Sequence, residues 1–423
     1  MPSEGLFVQV GATRDGLDPY LDAARRRGLT AVLVETPDYL IFREQLGRRP
    51  FDATIAVQNP ADPQALVDAL DATPVLMLPG FERYTASAYT AAESLGARPA
   101  RQSPAFTAPY KRAQRAAVAL AGIAVQQPRH ILLDSLEDLT PSLDCGLTFP
   151  VVVKPGNGGG GLGVLLVSQP GALTEAAQLL REVTNYGGST FDDWLIEEFV
   201  EGTEVSVQGV AREGNVQILT YCEKVITVET EQDSLISSFR ESGHIAYPGD
   251  EADAALQAFA QGCISAVGYQ TGPFHVDLIR DGDSLLLLEM GFRLSGMRVT
   301  ELVTLASGYD WGEEAFRSHL GEPASPRQPA PHLRYAGHFT MRHPEELDAA
   351  RRLMSESDSR VTVQPFGPLP DLAHGDGEWP ASLHADITRH AGAVGRVLVQ
   401  ASNPRLVAMQ LEHCKAGMRV SQP

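Results

Sequence analysis

The stretch VVVKPGNGGGGLGVLLV (151–167) decides the fold of this chain, because it sets a glycine block between two apolar runs. β-Branched residues and leucines on both sides predict strands, so the segment is a strand, a glycine loop and a second strand. Gly158, Gly160 and Gly163 satisfy G-x-G-x-x-G, but a dinucleotide fingerprint opens a helix, and here a strand follows. The absence of a Gly-Lys-Ser/Thr ending excludes a Walker A loop.

The glycine block is best explained as a hairpin that folds its backbone N–H groups over phosphates, with Lys154 at the end of the first strand. Glycine suits such a loop because a Cβ would keep the backbone away from its ligand. The alternative is a surface hairpin without a ligand. That alternative gives no reason for five glycines among six residues (156–161).

A second polar segment, EEFVEGTE (197–204), follows a predicted helix over 171–183. Gly202 interrupts the strand, which then resumes with valines on one face. The two-residue period of a strand places Glu204, Ser206 and Gln208 together on the opposite face. When this segment is considered alone, a solvated strand edge explains it better than a binding site does.

A later segment, HVDLIRDGDSLLLLEM (275–290), predicts a hairpin around Asp281-Gly282. Asp277 and Glu289 then lie opposite each other, and Glu289, Gly291 and Arg293 share one face of a continuing strand. Two carboxylates beside an arginine suit Mg²⁺ that bridges phosphates. A cross-strand charge pair on the surface is the alternative, but the leucines around Glu289 favour burial, and a buried carboxylate needs a cationic partner.

The first hundred residues alternate predicted strands with helices, which indicates a parallel sheet covered by helices. Helices are predicted over 18–27, with Asp18 as a cap, and over 60–72; KRAQRAAVALAG (111–122) predicts a later helix that ends at Gly122. The first turn, VGATRDG (10–16), lacks G-x-G-x-x-G, so a dinucleotide site is not expected there. The predicted strands are LFVQV (6–10), TAVLVE (30–35), ATIAV (53–57) and VLMLPG (75–80).

Composition excludes several classes of protein. The 423 residues contain 34 Lys and Arg against 53 Asp and Glu, a net charge of −19, which opposes binding to nucleic acid. No apolar run approaches the roughly 20 residues that span a bilayer, and we identify no secretion signal. Four separated cysteines, with no C-x-x-C pair, predict reduced thiols in a cytoplasmic protein rather than a zinc site or disulfides.

In their order along the chain, these motifs resemble the ATP-grasp superfamily over roughly residues 1–325. The matching segments are Lys111, VVVKP with the glycine block, EEFVEGTE, HVDLI and LLLLEMGFRLSG. The resemblance implies an α/β (α+β) fold with four parts. These are an N-terminal Rossmann-like domain (1–110), a small lid with the glycine loop (111–196), a central antiparallel-sheet domain (197–325) and a C-terminal α/β lobe (326–423).

The resemblance also implies roles for individual residues. Lys111 and Lys154 contact ATP phosphates, and Arg293 stabilises an acyl phosphate and a tetrahedral intermediate, so Lys154 and Arg293 are the implied catalytic residues. Asp277 and Glu289 ligate Mg²⁺ or Mn²⁺. The adenine hinge is implied to act largely through backbone atoms. The implied ATP contacts are Lys111, Lys154, Gly158, Gly159, Gly160, Gly161, the hinge residues Glu197, Glu198 and Val200, and Glu204 at the ribose hydroxyls. The family often has Asn two residues after the second metal carboxylate, where this chain has Gly291.

Within the superfamily, the chain is most similar to the L-amino acid ligases. FRESGHIAYP (239–248) resembles their Glu-x-x-His loop, Glu82 follows a strand of the first domain, and RLSGM (293–297) resembles the wall of the amino-acid pocket. The implied substrate residues are Glu82, Glu241, His244, Arg293, Gly296 and Met297, with Met297 admitting a mid-sized side chain. As alternatives, Glu82 caps a helix and His244 is a satisfied loop histidine.

The implied activity is an ATP-dependent carboxylate–amine ligase that joins two amino acids through an acyl phosphate. Alternatives are an ATP-grasp enzyme with a thiol, hydroxyl or other nitrogen acceptor, and a non-catalytic ATP-binding module. Small-molecule amino acids are the implied partners, with neither nucleic acid nor membrane. A homodimer is implied by the family alone.

Overall fold

A computed structural model describes residues 5–99, 110–139, 146–326, 332–353, 359–367, 369, 380–390 and 392–416. The strands are β1 (Leu6–Val10), β2 (Thr30–Glu35), β3 (Ala53–Ala56), β4 (Leu76–Pro79), β5 (His130–Leu133), β6 (Val151–Pro155), β7 (Leu165–Val167), β8 (Trp194–Glu198), β9 (Thr203–Arg212), β10 (Asn215–Thr230), β11 (Ile236–Pro248), β12 (Gly272–Asp281), β13 (Ser284–Gly291), β14 (Tyr335–Met341), β15 (Ser359–Pro365) and β16 (Gly395–Ala401).

The helices lie between and after these strands. They are α1 (Pro19–Arg26), α2 (Pro37–Gln45), α3 (Pro63–Asp68), α4 (Thr85–Leu95), α5 (Lys111–Ala121), α6 (Leu173–Arg181), α7 (Ala254–Ala266), α8 (Val299–Ser307), α9 (Trp311–Leu320), α10 (Pro344–Leu353), α11 (His384–His390) and α12 (Pro404–Ala416). Cys145 lies outside the described residues, and the other three cysteines are buried free thiols.

The N-terminal sheet is parallel, in the order β3-β2-β1-β4, as the strand–helix alternation predicts. Helix α1 begins where predicted, but its expected cap is wrong: the Asp18 side chain makes no capping hydrogen bond. It accepts instead from Arg43 Nη2 at 2.8 Å, in a buried ion pair. A charge-assisted bond is stronger than a bond to a neutral amide, so Arg43 takes the carboxylate.

A second sheet is antiparallel and carries the glycine loop. Its strands run in the order β13-β12-β9-β10-β11-β7-β6-β8-β5, with β14 joined to β11 and then β16 and β15. The predicted glycine hairpin is confirmed, since β6 pairs with β7 in the register Val151↔Val167. The loop between them, residues 156–164, therefore projects from one end of the sheet.

The second predicted hairpin is also confirmed, because Asp277 on β12 pairs directly with Glu289 on β13. The expected continuation of that strand is wrong: β13 ends at Gly291, and Arg293 lies beyond it. Arg293 is therefore positioned by the loop that follows the sheet, and it can turn toward the N-terminal sheet.

Helices α8 and α9 join the two sheets into one body. Phe7 of β1 packs on Phe316 of α9 with ring centroids 4.9 Å apart, in a core that also contains Leu302 and Trp311. Arg27 adds ion pairs to Glu313 at the edge of this contact. The loops after β1 and β4 thereby face the end of the β12–β13 hairpin. No helix in the described parts of the chain is long and apolar enough to cross a membrane.

Candidate active site

The glycine loop forms one wall of a cleft. Gly160, Gly161 and Gly163 have φ of 67°, 77° and 69°, a region that side chains other than glycine rarely adopt. The carbonyl of Gly158 accepts a hydrogen bond from Lys111 Nζ at 2.7 Å. The loop is thus tied to the start of α5, the helix predicted to begin with a phosphate-binding lysine.

We expect Gly161→Ala to raise the KM for ATP about tenfold. Forcing an alanine into the left-handed region costs roughly 1–2 kcal/mol, so the loop shifts and loses its fit to phosphates. Gly171→Ala is the matched control, because Gly171 has open space around it and no positive φ. An unchanged KM for ATP in Gly161→Ala, measured by steady-state kinetics, would contradict this role.

Lys154 is held by a buried triad of charges. Its Nζ lies 2.5 Å from Glu197 Oε2, and Arg115 Nη2 lies 2.7 Å from Glu197 Oε1. Burial alone raises the pKa of Glu197, but the charges of Lys154 and Arg115 outweigh it and lower the pKa to about 2. Burial lowers the pKa of Lys154. Glu197 therefore acts through its side chain beneath Lys154, a role that sequence reasoning missed.

The predicted metal carboxylates are each held by a lysine. Lys111 Nζ lies 2.7 Å from Glu289 Oε2, and Lys224 Nζ lies 2.6 Å from Asp277 Oδ2. Burial alone raises the pKa of Glu289, but Lys111 outweighs it and holds the pKa well below its ordinary value. Ser206 donates to Asp277 Oδ1 at 2.5 Å, so the polar face predicted for β9 does point into the cleft.

Lys224 is the main charged residue of the cleft that sequence reasoning missed. Its ammonium lies within 3.2 Å of Glu204, Glu241 and Asp277, and their negative charge raises its pKa despite the opposite effect of burial. A signal was present: in YCEKVITV (221–228), the two-residue period puts this lysine on the same face as the buried Cys222. A lone lysine on an apolar face indicates a carboxylate partner.

The two sheets meet at the end of the cleft that contains the predicted substrate residues Glu82 and Arg293. Arg293 Nε lies 2.6 Å from Glu82 Oε2, an ion pair between the loop after β13 and the turn after β4. A methyl group on Gly159 would lie 3.9 Å from Glu82 Cγ, so the glycine loop reaches the same point. Glu82 begins a short 3-10 helix, Glu82–Tyr84, and its carboxylate is used in this ion pair.

The end of RLSGM adopts an unusual backbone. Met297 and Arg298 have φ of 56° and 60°, two consecutive left-handed residues that are not glycine. The Arg298 N–H donates to Asp15 Oδ2 at 2.7 Å, and Met297 packs against the core beneath the N-terminal sheet. Gly296 has open space where a Cβ would lie. Strain of this kind concentrates at functional sites, so these two residues mark the segment as a candidate functional loop.

Residues 147–301 match the family of the ATP-grasp domain. The chain carries an ATP-grasp domain. That domain spans the glycine loop, both lysine-bound carboxylates and Arg293. Of the motifs that suggested it in the sequence, only Lys111 lies outside the matched residues.

Curated relatives match part of the chain. The formate-dependent phosphoribosylglycinamide formyltransferase of Thioalkalivibrio sulfidiphilus (strain HL-EbGR7) is 28% identical over 210 residues, covering 48% of this chain and 49% of that protein. Dapdiamide A synthase of Enterobacter agglomerans is 24% identical over 148 residues, covering 35% of this chain and 34% of that protein. The matches therefore span about half or less of the length of either relative.

The fold extends beyond the matched segments. The crystal structure of L-amino acid ligase from Bacillus licheniformis aligns with a TM-score of 0.68 at 18% identity, covering 97% of each chain. At this identity, the likeness concerns the fold. It confirms the predicted ATP-grasp architecture, in which a parallel N-terminal sheet precedes the antiparallel sheet of the cleft.

The ATP-grasp fold implies a divalent metal, and the two carboxylates suit one. Mg²⁺ is usually bound by one or two carboxylates, with water and phosphate oxygens completing its shell. Within the described residues, no three histidine, cysteine, aspartate or glutamate side chains converge closely enough to hold an ion. Asp277 and Glu289 would hold the metal in place of their present lysine partners.

The departure at Gly291 has a structural explanation. A Cβ at this position would lie 2.0 Å from Cε1 of His275, which is paired with Gly291 across β12 and β13. The imidazole ring therefore occupies the space that an asparagine side chain would need. A larger residue at 291 would require His275 to move.

The predicted adenine hinge follows β8. The Glu198 carboxylate accepts from Arg129 and from the Thr148 N–H, and the Glu198 N–H donates to the Arg129 carbonyl, so both groups are already used. Val200 is half-buried directly after the strand. The hinge at Glu197, Glu198 and Val200 therefore stays a prediction, as does the ribose contact of Glu204, whose carboxylate lies 2.7 Å from Lys224.

Proposed function

We propose that this protein is an ATP-dependent carboxylate–amine ligase that joins two amino acids and releases ADP and phosphate. The observation that carries the proposal is the cleft itself. Lys111, Lys154 and Arg293 lie beside the Asp277–Glu289 pair, under a glycine loop and against Glu82 in the turn after β4. Each of these cations is paired with a carboxylate, so bound Mg²⁺ would supply the additional positive charge that a nucleotide triphosphate needs.

The chemistry needs positioning and charge rather than a side-chain nucleophile. A carboxylate is a poor electrophile, and taking the γ-phosphoryl group of ATP turns it into an acyl phosphate with a good leaving group. An amine then attacks the acyl carbon, phosphate leaves and an amide remains. Bound Mg²⁺ would neutralise phosphate charge at Asp277 and Glu289.

The residues of this chain divide that task. Lys111 and Lys154 orient the transferred phosphoryl group, and the buried Glu197 keeps Lys154 in place. Arg293 stabilises the negative charge that develops on the acyl phosphate and on the tetrahedral intermediate. Glu82, beside Arg293, is positioned to hold the amine of an amino acid.

A nitrogen acceptor other than an amino acid is the second candidate. The observation that favours it is the similarity to a formate-dependent phosphoribosylglycinamide formyltransferase, whose name specifies formate and phosphoribosylglycinamide. The same acyl phosphate chemistry serves both acceptors. The protein, whose predicted substrate residues include Met297 and Glu82, therefore has to be tested with amino acids and with other nitrogen acceptors.

Phosphate release from ATP tests the proposal. The protein is incubated with Mg²⁺, ATP and pairs of amino acids, and products are identified by mass spectrometry. We expect phosphate release that requires both a carboxylic acid and an amine, with a stoichiometric amide product. Release that requires formate and phosphoribosylglycinamide would support the second candidate, and ATP turnover without any carboxylate would contradict both.

A further inference from the structure

A buried pair of histidines connects the cleft to the C-terminal part of the chain. His244 on β11 pairs with His338 on β14 in the antiparallel register. His244 Nδ1 lies 3.0 Å from His338 Nε2, and the rings are inclined by only 14°. Both side chains are buried, at 2% and 1% exposure. This distance requires one ring to donate a hydrogen bond to the other.

Arg396 of β16 decides the direction of that bond. Its Nε donates to His338 Nδ1 at 3.0 Å. A guanidinium has donors only, so His338 Nδ1 must be the unprotonated nitrogen. A neutral His338 then carries its proton on Nε2 and donates it to His244 Nδ1. Arg396 is itself fixed by Glu301, whose Oε2 lies 2.7 Å from Nη1.

The same logic fixes the proton on His244. Because its Nδ1 accepts, a neutral His244 carries its proton on Nε2, which lies 3.3 Å from Glu241 Oε1. Burial lowers the pKa of both histidines, which favours their neutral forms. The charged groups that act on the His244 ring are Glu241, Lys224, Asp277 and Arg396.

We propose that Arg396 is a positioning residue that acts through His338 to hold His244 as the Nε2–H tautomer, with its proton directed at Glu241 and the substrate end of the cleft. His244 is then a hydrogen-bond donor to Glu241 or to substrate, and it does not accept the proton of the attacking amine. Glu241 is the member of the pair that can accept that proton. The inference rests on the proposed function only in placing Glu241 and His244 beside the substrates.

The tautomers can be measured without any assay of activity. In protein labelled with ¹⁵N-histidine, long-range ¹H–¹⁵N correlation spectra distinguish protonated from unprotonated ring nitrogens, and His244→Gln and His338→Gln spectra assign the signals. We expect both rings of the otherwise unsubstituted protein to be neutral Nε2–H tautomers. A proton on Nδ1 of His338, or a doubly protonated His244, would overturn the inference.

Substitutions of Arg396 test the coupling to turnover. Arg396→Met should free His338 Nδ1, mix the tautomers of both rings and lower kcat for amide formation about tenfold. Arg396→Lys should restore the single tautomer, because an ammonium also only donates. Glu301→Gln removes the charge but keeps a carbonyl that can accept from Arg396, and Arg405→Met changes an exposed arginine of α12, so both should keep the tautomers.

The outcomes separate this inference from the proposed function. Unchanged tautomers in Arg396→Met would overturn the role of Arg396, whatever the activity. The expected tautomers in a protein that forms no amide would contradict the proposed function and leave the assignment of protons supported. A pH profile of kcat that shifts in Arg396→Met and returns to that of the unsubstituted protein in Arg396→Lys would support transmission through His338. A defect caused by packing alone would not depend on whether residue 396 can donate a hydrogen bond.

Discussion

Substituting Glu197 by glutamine is expected to lower the free energy of unfolding by about 3–5 kcal/mol. The side chain keeps its size, but Lys154 and Arg115 lose the carboxylate that lies 2.5 and 2.7 Å from them. Two buried cations then face each other without compensation, and neither can reach water without disturbing β8. Urea denaturation followed by tryptophan fluorescence measures the loss, and Trp194 of the same strand contributes to the signal.

Glu198→Gln is the matched control for this substitution. The neighbouring carboxylate pairs with Arg129, whose side chain is 63% exposed, and such pairs contribute about 0–1 kcal/mol. Equal destabilisation by the two substitutions would contradict the buried triad. Both variants replace a glutamate of the same strand by glutamine. The difference between their losses in free energy of unfolding therefore measures the part that depends on burial.

Acidification supplies an independent test of the same triad. The pKa of Glu197 is lowered from 4.5 to about 2, so its stabilisation is fully present above about pH 4.5 and is lost as the pH falls toward 2. The stability difference between the unsubstituted protein and Glu197→Gln should therefore shrink over that interval. A difference that stays constant down to pH 2 would show that Lys154 and Arg115 do not lower the pKa of Glu197 in the folded protein.

The fold was predictable where local patterns determine it. The glycine hairpin at 151–167 and the Asp277–Glu289 pairing follow from strand periodicity and turn residues, which act over a few neighbours in sequence. The partners of the charged residues were not predictable in this way. Lys224 contacts Asp277 across 53 positions, and only the order of the strands in the sheet brings them together.

The roles of Glu197 and Asp18 show the same limit. Asp18 was assigned as a helix cap from its local motif, and its carboxylate instead binds the buried Arg43. Glu197 was assigned to an adenine hinge that acts largely through backbone atoms; that assignment stays a prediction, and the pairing of its carboxylate with Arg115 was not foreseen. A charged partner in a buried environment outweighs a local amide, and such partners are set by packing that periodicity does not specify.

Replacing Arg293 by methionine is expected to lower kcat/KM for amide formation by about 10²–10³, with the affinity for ATP nearly unchanged. Arg293 lies beyond β13 and pairs with Glu82, whereas Lys111 and Lys154, the lysines proposed to contact phosphates, pair with Glu289 and Glu197. The Arg293 side chain is 15% exposed, so its charge would be little screened by water when it acts on developing negative charge. Losing one such preorganised donor costs about 3–4 kcal/mol of transition-state stabilisation.

Two further variants decide whether that loss belongs to Arg293 itself. Arg280→Met changes an arginine on the same hairpin whose partner is Asp253, far along β12 from the cleft, and it should keep full activity. Glu82→Gln leaves the guanidinium in place but removes its ion pair. If Arg293 serves only to hold Glu82, Glu82→Gln will reproduce the defect; if it stabilises the acyl phosphate, Glu82→Gln will mainly raise the KM for the amine. Loss of ATP binding in Arg293→Met, measured by calorimetry, would contradict the assignment, because the nucleotide is then held by the residue proposed to act on the acyl group.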